Sequence, residues 1–556
     1  MIERKLIVGI DFGTTFSGVA WAETKRPDHL AIVNVWPSGL GMNEGVTQDK
    51  VPTEIRYTPE GMEWGFQIPR DAEKQHWFKL ALSGESRASA PYEKLPEELT
   101  TDFLTALSRH FRYFLEQKLG ATILRTVPLE FCLTVPAIWS EVAKEKTLKA
   151  CKDAGLSPSQ GKISLVSEPE AAAIFALHDL DPHELQIGDS FVLCDAGGGT
   201  VDLISYTIAE LQPILKIREA APGTGGYCGS TYLNQRFGEF LVSKLGDLAG
   251  WDTELLCEAM DRFEFVIKRS YLPSNHHQDG YTILVPGLEN NAIIGIKNGR
   301  FKVTSLEMQE IFDPVIQQVI ELIQGQIRAT EKNIRAVLLV GGFGQSMHLK
   351  ERLRNALGDT IEVLQPPNAW TSVVRGAVMM GLARANSRLA SVSMESRTAR
   401  KHYGLKLNFE FDLAIHDNNK KYWCDRHRCY RVPAMEWFIE KGDAVEENIP
   451  KALTFVSHFL VSNGKPESAS IKVWCDHDST TAPIHKNSNV KQLVTLVSDL
   501  RGLSAEDLES SITRCADGQD WYEISGAVEA TYSSASTKYV LLYEGVRYDT
   551  VTAEYV

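Results

Sequence analysis

The sequence predicts an α/β fold of two similar lobes, followed by a smaller and mostly β domain. An apolar strand that ends in aspartate and a glycine-containing turn occurs twice, at Asp11 and at Asp195. Helical stretches with capping residues lie between and after these turns, as expected where helices cover sheets. Beyond residue 403, apolar and polar residues alternate with the period of two that is typical of antiparallel strands. A chain of 556 residues is long enough to form several separate cores.

The first element is a hairpin over residues 6–21. Its apolar strand ends at Asp11, glycine and small hydroxyl residues follow, and a second apolar strand begins near Gly18. Two helices are predicted after this hairpin. Ser140 is a capping residue before a largely polar helix that ends at Gly155. Glu168 and Pro169 begin an alanine-rich helix, whose small side chains permit close packing against a neighbouring helix.

The second hairpin covers residues 191–206, with a glycine triplet at 197–199 between two β-favouring stretches. Without Cβ atoms at the turn, backbone N–H groups can approach a bulky anion, and Thr200 adds a hydroxyl donor. Asp195 would repel a bare phosphate, so its position favours a divalent cation between the carboxylate and the phosphate. This stretch predicts a Mg²⁺-nucleotide site, and an ordinary glycine-containing hairpin is the alternative. Because the pattern occurs twice, we expect two lobes that each hold one phosphate loop against a shared nucleotide.

Composition narrows the possible partners. The chain is 43% hydrophobic and 23% charged, with a mean hydropathy of −0.18 and a net charge of −14. This acidic balance argues against general binding to nucleic acids or anionic membranes. The start shows no secretory apolar region, no apolar run approaches a membrane span, and the nine cysteines suit a reducing compartment. We expect a cytoplasmic or nuclear chain whose partners are a nucleotide and protein clients or regulators, with neither nucleic acid nor membrane.

One cysteine and histidine cluster is a weak candidate for zinc. It comprises Cys424, His427 and Cys429, with Cys475 and His477 further along the chain. Zinc accepts such ligands, but their spacing matches no standard finger. Packed or solvated side chains are the favoured interpretation.

The two hairpin motifs, IDFGTT at 10–15 and DAGGGTVD at 195–202, resemble the phosphate signatures of the actin-like ATPase superfamily, and specifically of the 70-kilodalton heat-shock chaperone family. The segments LTVPAIW at 133–139, VSEPEAAAIFA at 166–176 and VLLVGGFGQS at 337–346 also resemble this family. The match covers residues from about 5 to 385 in the family's order, and the motifs are specific only in combination. The resemblance implies an actin-like fold, in which two ribonuclease-H-like lobes surround a nucleotide cleft.

The resemblance also implies the roles of individual residues, with ATP or ADP and Mg²⁺ as cofactors. Asp11 and Asp195 would hold the magnesium ion through water, and Glu168 would bind a water on the metal or beside the γ-phosphate. Lys79 would point at the γ-phosphate, although a surface lysine is the alternative. The implied catalytic residues are Lys79, Glu168, Asp195, Thr200 and Asp202, the last of which would position the attacking water. The implied nucleotide-binding residues are Asp11, Gly13, Thr14, Thr15, Gly197, Gly198, Gly199, Gly225, Gly226, Glu264, Lys268, Arg269, Gly341, Gly342 and Gln345.

Two departures from the family pattern affect the adenosine end. Glu264 lies four residues before Lys268, where the family commonly has three. Gln345 occupies the turn where the family usually carries an arginine that stacks on the base. Without that cation, the adenine would be held from one side by Arg269, with some loss of affinity or purine selectivity.

The predicted domains are a nucleotide-binding domain over 1–386, a connector over 387–402 and a β-rich domain over 403–556. The first would divide into lobes at about 1–187 and 188–386. The connector carries Ser and Arg where refolding chaperones have an acidic, leucine-rich linker, and we expect no helical lid after it. The chain therefore resembles the divergent, lidless branch found in fungi and in the animal twelve-A and twelve-B type members.

The predicted function is slow, Mg²⁺-dependent ATP hydrolysis that drives a chaperone-like switch acting on proteins. Two alternatives stay open. A binding or scaffold protein that responds to nucleotide without turnover would fit the altered adenosine turn and linker. A small-molecule kinase shares the same superfamily fold, but the sequence offers no distinct Asp base for an acceptor hydroxyl.

Overall fold

The computed structural model of the chain describes residues 2–39, 45–69, 72–84, 94–156, 162–179, 186–273, 280–447, 449–535, 537–548 and 552–555. The chain divides into two compact units, residues 1–393 and 394–556. No helix in the described ranges is long and apolar enough to cross a bilayer.

The first lobe of the first unit contains eleven strands and five helices among its described residues. The strands are β1 (Leu6–Asp11), β2 (Phe16–Glu23), β3 (Arg26–Ile32), β4 (Val35–Pro37), β5 (Gly45–Thr47), β6 (Val51–Pro52), β7 (Glu54–Thr58), β8 (Gly61–Trp64), β9 (Gln75–His76), β10 (Leu129–Val135) and β11 (Ile163–Ser167). The helices are α1 (Phe78–Ala81), α2 (Pro96–Leu119), α3 (Ala121–Thr126), α4 (Glu141–Asp153) and α5 (Glu168–Asp179).

The second lobe follows with eight strands and six helices in the same described ranges. The strands are β12 (Ser190–Ala196), β13 (Val201–Glu210), β14 (Leu215–Gly226), β15 (Tyr281–Leu284), β16 (Ile296–Lys297), β17 (Arg300–Val303), β18 (Ile334–Val340) and β19 (Glu362–Leu364). The helices are α6 (Thr231–Leu245), α7 (Thr253–Arg262), α8 (Lys268–Ser270), α9 (Ser305–Thr330), α10 (Met347–Leu357) and α11 (Ser372–Ala385).

Both lobes have the same sheet topology. The first sheet has the order β11-β10-β1-β2-β3, and the second contains the order β19-β18-β12-β13-β14. In each, a central strand pairs antiparallel with the second strand of its hairpin and parallel with a strand from later in the lobe. Asp11 lies opposite Gly18, and Asp195 lies opposite Asp202. The repeated topology confirms the prediction of two similar lobes built around two hairpins.

Helix α11 packs against the first sheet, although the predicted lobe limits placed its residues in the second lobe. Val374 and Val378 share a buried cluster with Ile7 of β1. The helix also lies very close to α5, because a Cβ atom on Gly376 would be 1.7 Å from the carbonyl oxygen of Ala171. The glycine is required at this position, since any side chain would separate the two helices.

Capping residues begin several helices as the sequence indicates. The Ser140 hydroxyl accepts a hydrogen bond from the Ala143 amide at the start of α4. Thr304 and Glu307 form a reciprocal capping box at the start of α9. The sequence also predicts a helix over 231–248, and α6 ends at Leu245, three residues before that limit.

The second unit is almost entirely β, as predicted. Its described strands are β20 (Val392–Thr398), β21 (His402–Glu410), β22 (Tyr422–Cys424), β23 (Cys429–Ile439), β24 (Ala444–Glu446), β25 (Lys451–Leu460), β26 (Ser468–Asp476), β27 (Lys491–Asp499), β28 (Ile512–Arg514), β29 (Asp520–Tyr532), β30 (Thr537–Tyr543), β31 (Val546–Tyr548) and β32 (Thr552–Tyr555), with one α-helix, α12 (Ala505–Ser510).

Two antiparallel sheets dominate this unit. One has the order β22-β23-β21-β26-β27-β32, and the other contains β25-β29-β30-β31 with β28 beside β29. Buried residues of both sheets, including Leu405, Val473, Ile524 and Leu541, share one core. Residues 387–402, predicted to be a connector, contain a short 3₁₀ helix at Ser387–Leu389 and the strand β20. The domain limits themselves stay a prediction.

Candidate functional site

A cleft lies in the first unit where the two hairpin turns meet, and its empty space, counted out into open solvent, is about 820 Å³. Most of the residues predicted for the site line this cleft. They are Asp11, Gly13, Thr14, Thr15, Lys79, Glu168, Asp195, Gly197, Gly198, Gly199, Thr200, Glu264, Lys268, Arg269, Gly341 and Gly342.

The two glycine-containing turns touch each other. A Cβ atom on Gly198 would lie 2.4 Å from the Thr15 hydroxyl oxygen, and one on Gly199 would lie 2.7 Å from the Thr14 hydroxyl oxygen. These distances leave no room for a side chain, so the triplet is required for the contact between the lobes. The turn is also tied to the start of α6, because the Thr231 amide donates a hydrogen bond of 2.8 Å to the Gly198 carbonyl oxygen.

Three of the carboxylates that line the cleft are almost buried: Asp11, Glu168 and Asp195 are 5%, 8% and 6% exposed. Burial raises the pKa of Glu168 to about 7 against the opposing charge of Lys79, and Asp11 and Asp202 add to the increase. Burial, followed by the negative charges of Glu168, Asp202 and Asp11, raises the pKa of Asp195 well above its ordinary value. Neighbouring carboxylates therefore make Glu168 and Asp195 harder to ionise.

Lys79 is held in this carboxylate cluster. Its Nζ atom lies 2.6 Å from Glu168 Oε1, and it sits between the rings of Phe12 and Trp139, at 5.6 and 5.4 Å from the ring centroids. Trp77, which precedes α1, adopts left-handed backbone angles with φ of 59°. Such a conformation is uncommon for a bulky residue and is found where function constrains the chain. The sequence hypothesis of a solvated surface lysine is wrong, because Lys79 is 3% exposed.

The structure adds a lysine that the sequence reasoning missed. Lys50 lines the cleft, and its Nζ atom lies 2.6 Å from Asp11 Oδ2. It belongs to no motif and lies 39 residues from Asp11 in the chain. Gly18 was the one available signal, since glycine within a strand often marks a close approach by another group. The Lys50 side chain passes over this glycine, where a Cβ atom would be 3.2 Å from Lys50 Cγ.

The adenosine end implied by the resemblance contains the pair Glu264 and Lys268. Their side chains form an ion pair, and the Asn234 amide donates a hydrogen bond of 2.7 Å to Glu264. Although burial acts to raise the pKa of Glu264, Lys268 and Asn234 hold it below its ordinary value. Residues Phe263–Ile267 form a π-helical turn between α7 and α8. A π turn accommodates one extra residue in a helix, which explains the four-residue spacing seen in the sequence.

Aromatic residues that the sequence reasoning did not assign complete this end of the cleft. Trp370 and Phe16 line it, with their ring centroids 5.9 Å apart. The Arg269 guanidinium lies 5.3 Å from the Trp370 ring centroid. Ser230, Phe343, Ser346 and Val373 also line the cleft. Phe16 and Trp370 lie far apart in the chain, and only the fold brings their rings together.

Four predicted site residues do not line the cleft. Gly225 and Gly226 belong to strand β14, where they lie opposite Asp202 and Val201. Gln345 ends a 3₁₀ turn, and Phe343 and Ser346 on either side of it line the cleft instead.

Asp202 is the fourth of these residues, and it lies behind the second hairpin turn. It is 1% exposed, and its carboxylate accepts hydrogen bonds from the Ala137 amide at 2.9 Å and the Ile138 amide at 3.4 Å. A hydrogen bond from the Thr200 side chain helps to offset the burial that raises the Asp202 pKa. Asp202 thus contacts the cleft through Thr200.

No group of three or more His, Cys, Asp or Glu side chains within the described ranges is arranged to hold a metal ion directly. The candidate zinc ligands are all in those ranges, and Cys424 lies opposite Cys429 in the pairing of β22 with β23. The same finding applies to the carboxylates of the cleft, so a magnesium ion there would need water molecules among its ligands.

The duplicated sheets and the cleft between their hairpin turns define the class of protein: the first unit has the actin-like ATPase fold. A family model described as "Hsp70 protein" matches residues 54–395, which is more than half of the chain. The chain therefore belongs to the Hsp70 family, and it is an Hsp70-like ATP-binding protein.

Curated relatives agree with this placement. The chain is 24% identical over 473 residues to "Heat shock 70 kDa protein 12A" of Mus musculus, covering 68% of this chain and 69% of that protein. It is 24% identical over 476 residues to "Heat shock 70 kDa protein 12B" of Homo sapiens, covering 68% of each. It is 26% identical over 396 residues to "Chaperone protein DnaK" of Mesomycoplasma hyopneumoniae (strain 232), covering 68% of this chain and 59% of that protein. These matches confirm the predicted branch of the family.

Proposed function

We propose that the cleft binds Mg²⁺-ATP and ADP, that the chain hydrolyses ATP slowly, and that the bound nucleotide controls its contacts with other proteins. The observation that carries this proposal is the meeting of two hairpin turns from duplicated lobes, with three buried carboxylates and Lys79 between them. A ligand that carries phosphates together with a divalent cation fits both features, because the turns would bind the phosphates and the carboxylates would bind the cation.

The charges of the cleft fit such a ligand. Burial and mutual repulsion raise the pKa values of Glu168 and Asp195, so a divalent cation would relieve the cost of ionising them. The donor atoms are oxygens, which Mg²⁺ prefers, and water molecules would complete its coordination. At the other end of the cleft, Trp370, Phe16 and Arg269 offer faces on which a purine could stack.

Each side chain of the cleft then has a role in ATP hydrolysis. Asp11, Asp195 and Glu168 would orient the waters of the magnesium ion. When bound, Mg²⁺ neutralises negative charge on the phosphate oxygens. Lys79, already positioned by Glu168, would donate to the γ-phosphate, and loss of one such preorganised donor typically costs about 3–4 kcal/mol of transition-state stabilisation.

The turn of the second hairpin would hold the phosphates and the attacking water. Residues 197–199 present backbone N–H groups, and the Thr200 hydroxyl lies at the end of the turn. Asp202 is a positioning residue in this proposal, because it accepts a hydrogen bond from Thr200 and is itself fixed by two backbone amides. It would act on the attacking water through the Thr200 hydroxyl.

Asp195→Asn tests the proposal. Nucleotide affinity is measured by calorimetric titration with ATP and ADP, with and without Mg²⁺, and phosphate release is then measured on the same sample. We expect the variant to bind nucleotide measurably and to lose hydrolysis. Asp499→Asn is the matched control, since Asp499 is an exposed residue of the second unit paired with Arg501. Hydrolysis by Asp195→Asn at the wild-type rate would overturn the assignment.

The protein-directed part of the proposal needs separate measurements. Limited proteolysis or scattering in ADP and in ATP tests whether the nucleotide changes the state of the chain, and identical results would remove the switch. Stimulation of ATP consumption by unfolded peptides supports a chaperone-like role, whereas stimulation by sugars would favour the small-molecule kinase. A cytoplasmic or nuclear location stays a prediction from the scattered cysteines.

A further inference from the structure

Lys50 forms an ion pair inside the cleft that no sequence motif indicates. Its Nζ atom lies 2.6 Å from Asp11 Oδ2, and the two side chains are 8% and 7% exposed. Both residues line the cleft beside the first hairpin turn. The ammonium group therefore occupies the neighbourhood of the carboxylate that would hold the waters of a magnesium ion.

The backbone around Lys50 is held on both sides. After it, Val51 pairs with Ser17 in the β2–β6 ladder, and the Thr53 amide donates a hydrogen bond of 2.8 Å to the Thr15 carbonyl oxygen. Before it, the Trp36 indole donates a hydrogen bond of 2.7 Å to the Gln48 carbonyl oxygen. Lys50 is thus fixed relative to the turn at 13–15 and does not depend on a flexible loop for its position.

Lys50 presents to the cleft an ammonium group that suits a phosphate. This group is a compact charge with three donors on a flexible stem, so its donors can turn from a carboxylate to a phosphate. Charge-assisted hydrogen bonds to phosphate are among the stronger ones in proteins. Elsewhere in this part of the cleft, Lys79 pairs with Glu168 at 2.6 Å, and Asp195 adds a further buried carboxylate.

We propose that Lys50 is a phosphate-binding residue that exchanges the Asp11 carboxylate for the nucleotide, so that nucleotide binding is partly independent of Mg²⁺. This inference rests on the proposed nucleotide site. It adds to that site a resident cation, which would share with the metal ion the task of neutralising the phosphates.

The test compares the dissociation constants for ATP and ADP, measured by calorimetry in Mg²⁺ and in EDTA. For the wild type, we expect affinity in EDTA to be within about tenfold of that in Mg²⁺. Lys50→Gln should increase this ratio by about tenfold or more, because one charged hydrogen bond to phosphate is lost. Lys74→Gln is the control, since Lys74 forms a partly exposed pair with Glu54 at 2.9 Å, and its ratio should equal that of the wild type.

Because Lys50→Gln leaves Asp11 buried without its partner, the lysine is also tested after Asp11 has been neutralised. In EDTA, Asp11→Asn should bind ATP at least as tightly as the wild type, because Lys50 is released from the carboxylate. The double variant Asp11→Asn/Lys50→Gln should bind about tenfold more weakly than Asp11→Asn.

The outcomes separate this inference from the proposed function. Equal affinities of Asp11→Asn and its double variant in EDTA, or a ratio for folded Lys50→Gln equal to that of the wild type, would overturn the role of Lys50 alone. Absence of nucleotide binding by the wild type in both buffers would overturn the proposed function, and this inference with it.

Discussion

Neutralising Asp195 should stabilise the nucleotide-free protein while it abolishes hydrolysis. Asp195 is 6% exposed, and burial together with Glu168, Asp202 and Asp11 raises its pKa well above the ordinary value of 3.8. A carboxyl group in this situation costs stability at neutral pH, because it must either be buried with its charge or take up a proton that the unfolded chain does not hold. Asn has nearly the same shape and carries no charge.

The size of the effect follows from the cost of protonation. Taking up a proton at pH 7 on a group with an ordinary pKa of 3.8 costs about 4 kcal/mol, at about 1.36 kcal/mol for each pKa unit. This is the upper limit, because protonation sets a ceiling on the cost of burying the charge. We therefore expect Asp195→Asn to increase the free energy of unfolding at pH 7, by at most about 4 kcal/mol.

The sign of the pH dependence is also determined. Between pH 3.8 and the raised pKa of Asp195, the folded wild type binds more protons than the unfolded chain. Its stability relative to the variant therefore improves as the pH falls. The advantage of Asp195→Asn should shrink as the pH falls through the raised pKa of Asp195, by at most about 1.4 kcal/mol for each pH unit, and should be small near pH 4.

Urea unfolding at pH 7, 6 and 5, without nucleotide or Mg²⁺, measures these differences. Asp189→Asn is a matched control in the same unit, because Asp189 pairs with Arg335 at 3.2 Å and both side chains are partly exposed. The control should change stability by at most about 1 kcal/mol. If Asp195→Asn is less stable than the wild type at pH 7, or if its advantage does not shrink in acid, the carboxylate is not a destabilising group and this reasoning fails.

Two further predictions concern the base and the helix contact. Trp370→Ala should weaken ATP binding by about 1–3 kcal/mol, whereas Trp370→Phe should keep most of the affinity. If calorimetry finds the same affinity for the Ala variant as for the wild type, the indole does not contact the adenine base. Gly376→Ala should lower the free energy of unfolding by about 1–3 kcal/mol or more, because its Cβ atom would meet Ala171 at 1.7 Å. Gly325→Ala, at a helical glycine with no heavy atom within 4 Å of the added Cβ in the described structure, should gain about 0.5–1 kcal/mol. Equal urea midpoints for these two Ala variants would refute the packing argument.

The hairpins could be predicted because their signals are local. An apolar strand, an aspartate and a glycine-rich turn lie within about a dozen residues. The residues that carry this pattern are therefore the same residues that form the hairpin. Asp11, Asp195 and residues 197–199 carry this local pattern, and all of them line the cleft. Lys79 and Glu168 were placed there by the family resemblance and lie 2.6 Å apart in the structure.

The features of the site that sequence reasoning missed depend on the folded chain. Lys50 reaches Asp11 through the pairing of β6 with β2, and a lone lysine before two β residues carries no sign of this. Gln345 was placed in the cleft by the motif around it, but the 3₁₀ turn directs its neighbours Phe343 and Ser346 there instead. The extra residue before Lys268 is visible in the sequence, whereas its accommodation by a π turn is not.

The sequence by itself determined the two hairpins, the family and the chemical character of the cleft, because short-range patterns of polarity and glycine encode strands and turns directly. Only the tertiary structure decided which charges lie together. Lys50 beside Asp11, Lys79 beside Glu168, and Trp370 beside Arg269 join residues that are far apart in the chain. The energies of buried charges depend on such distances and on exclusion of water, and neither quantity can be read from the order of the residues.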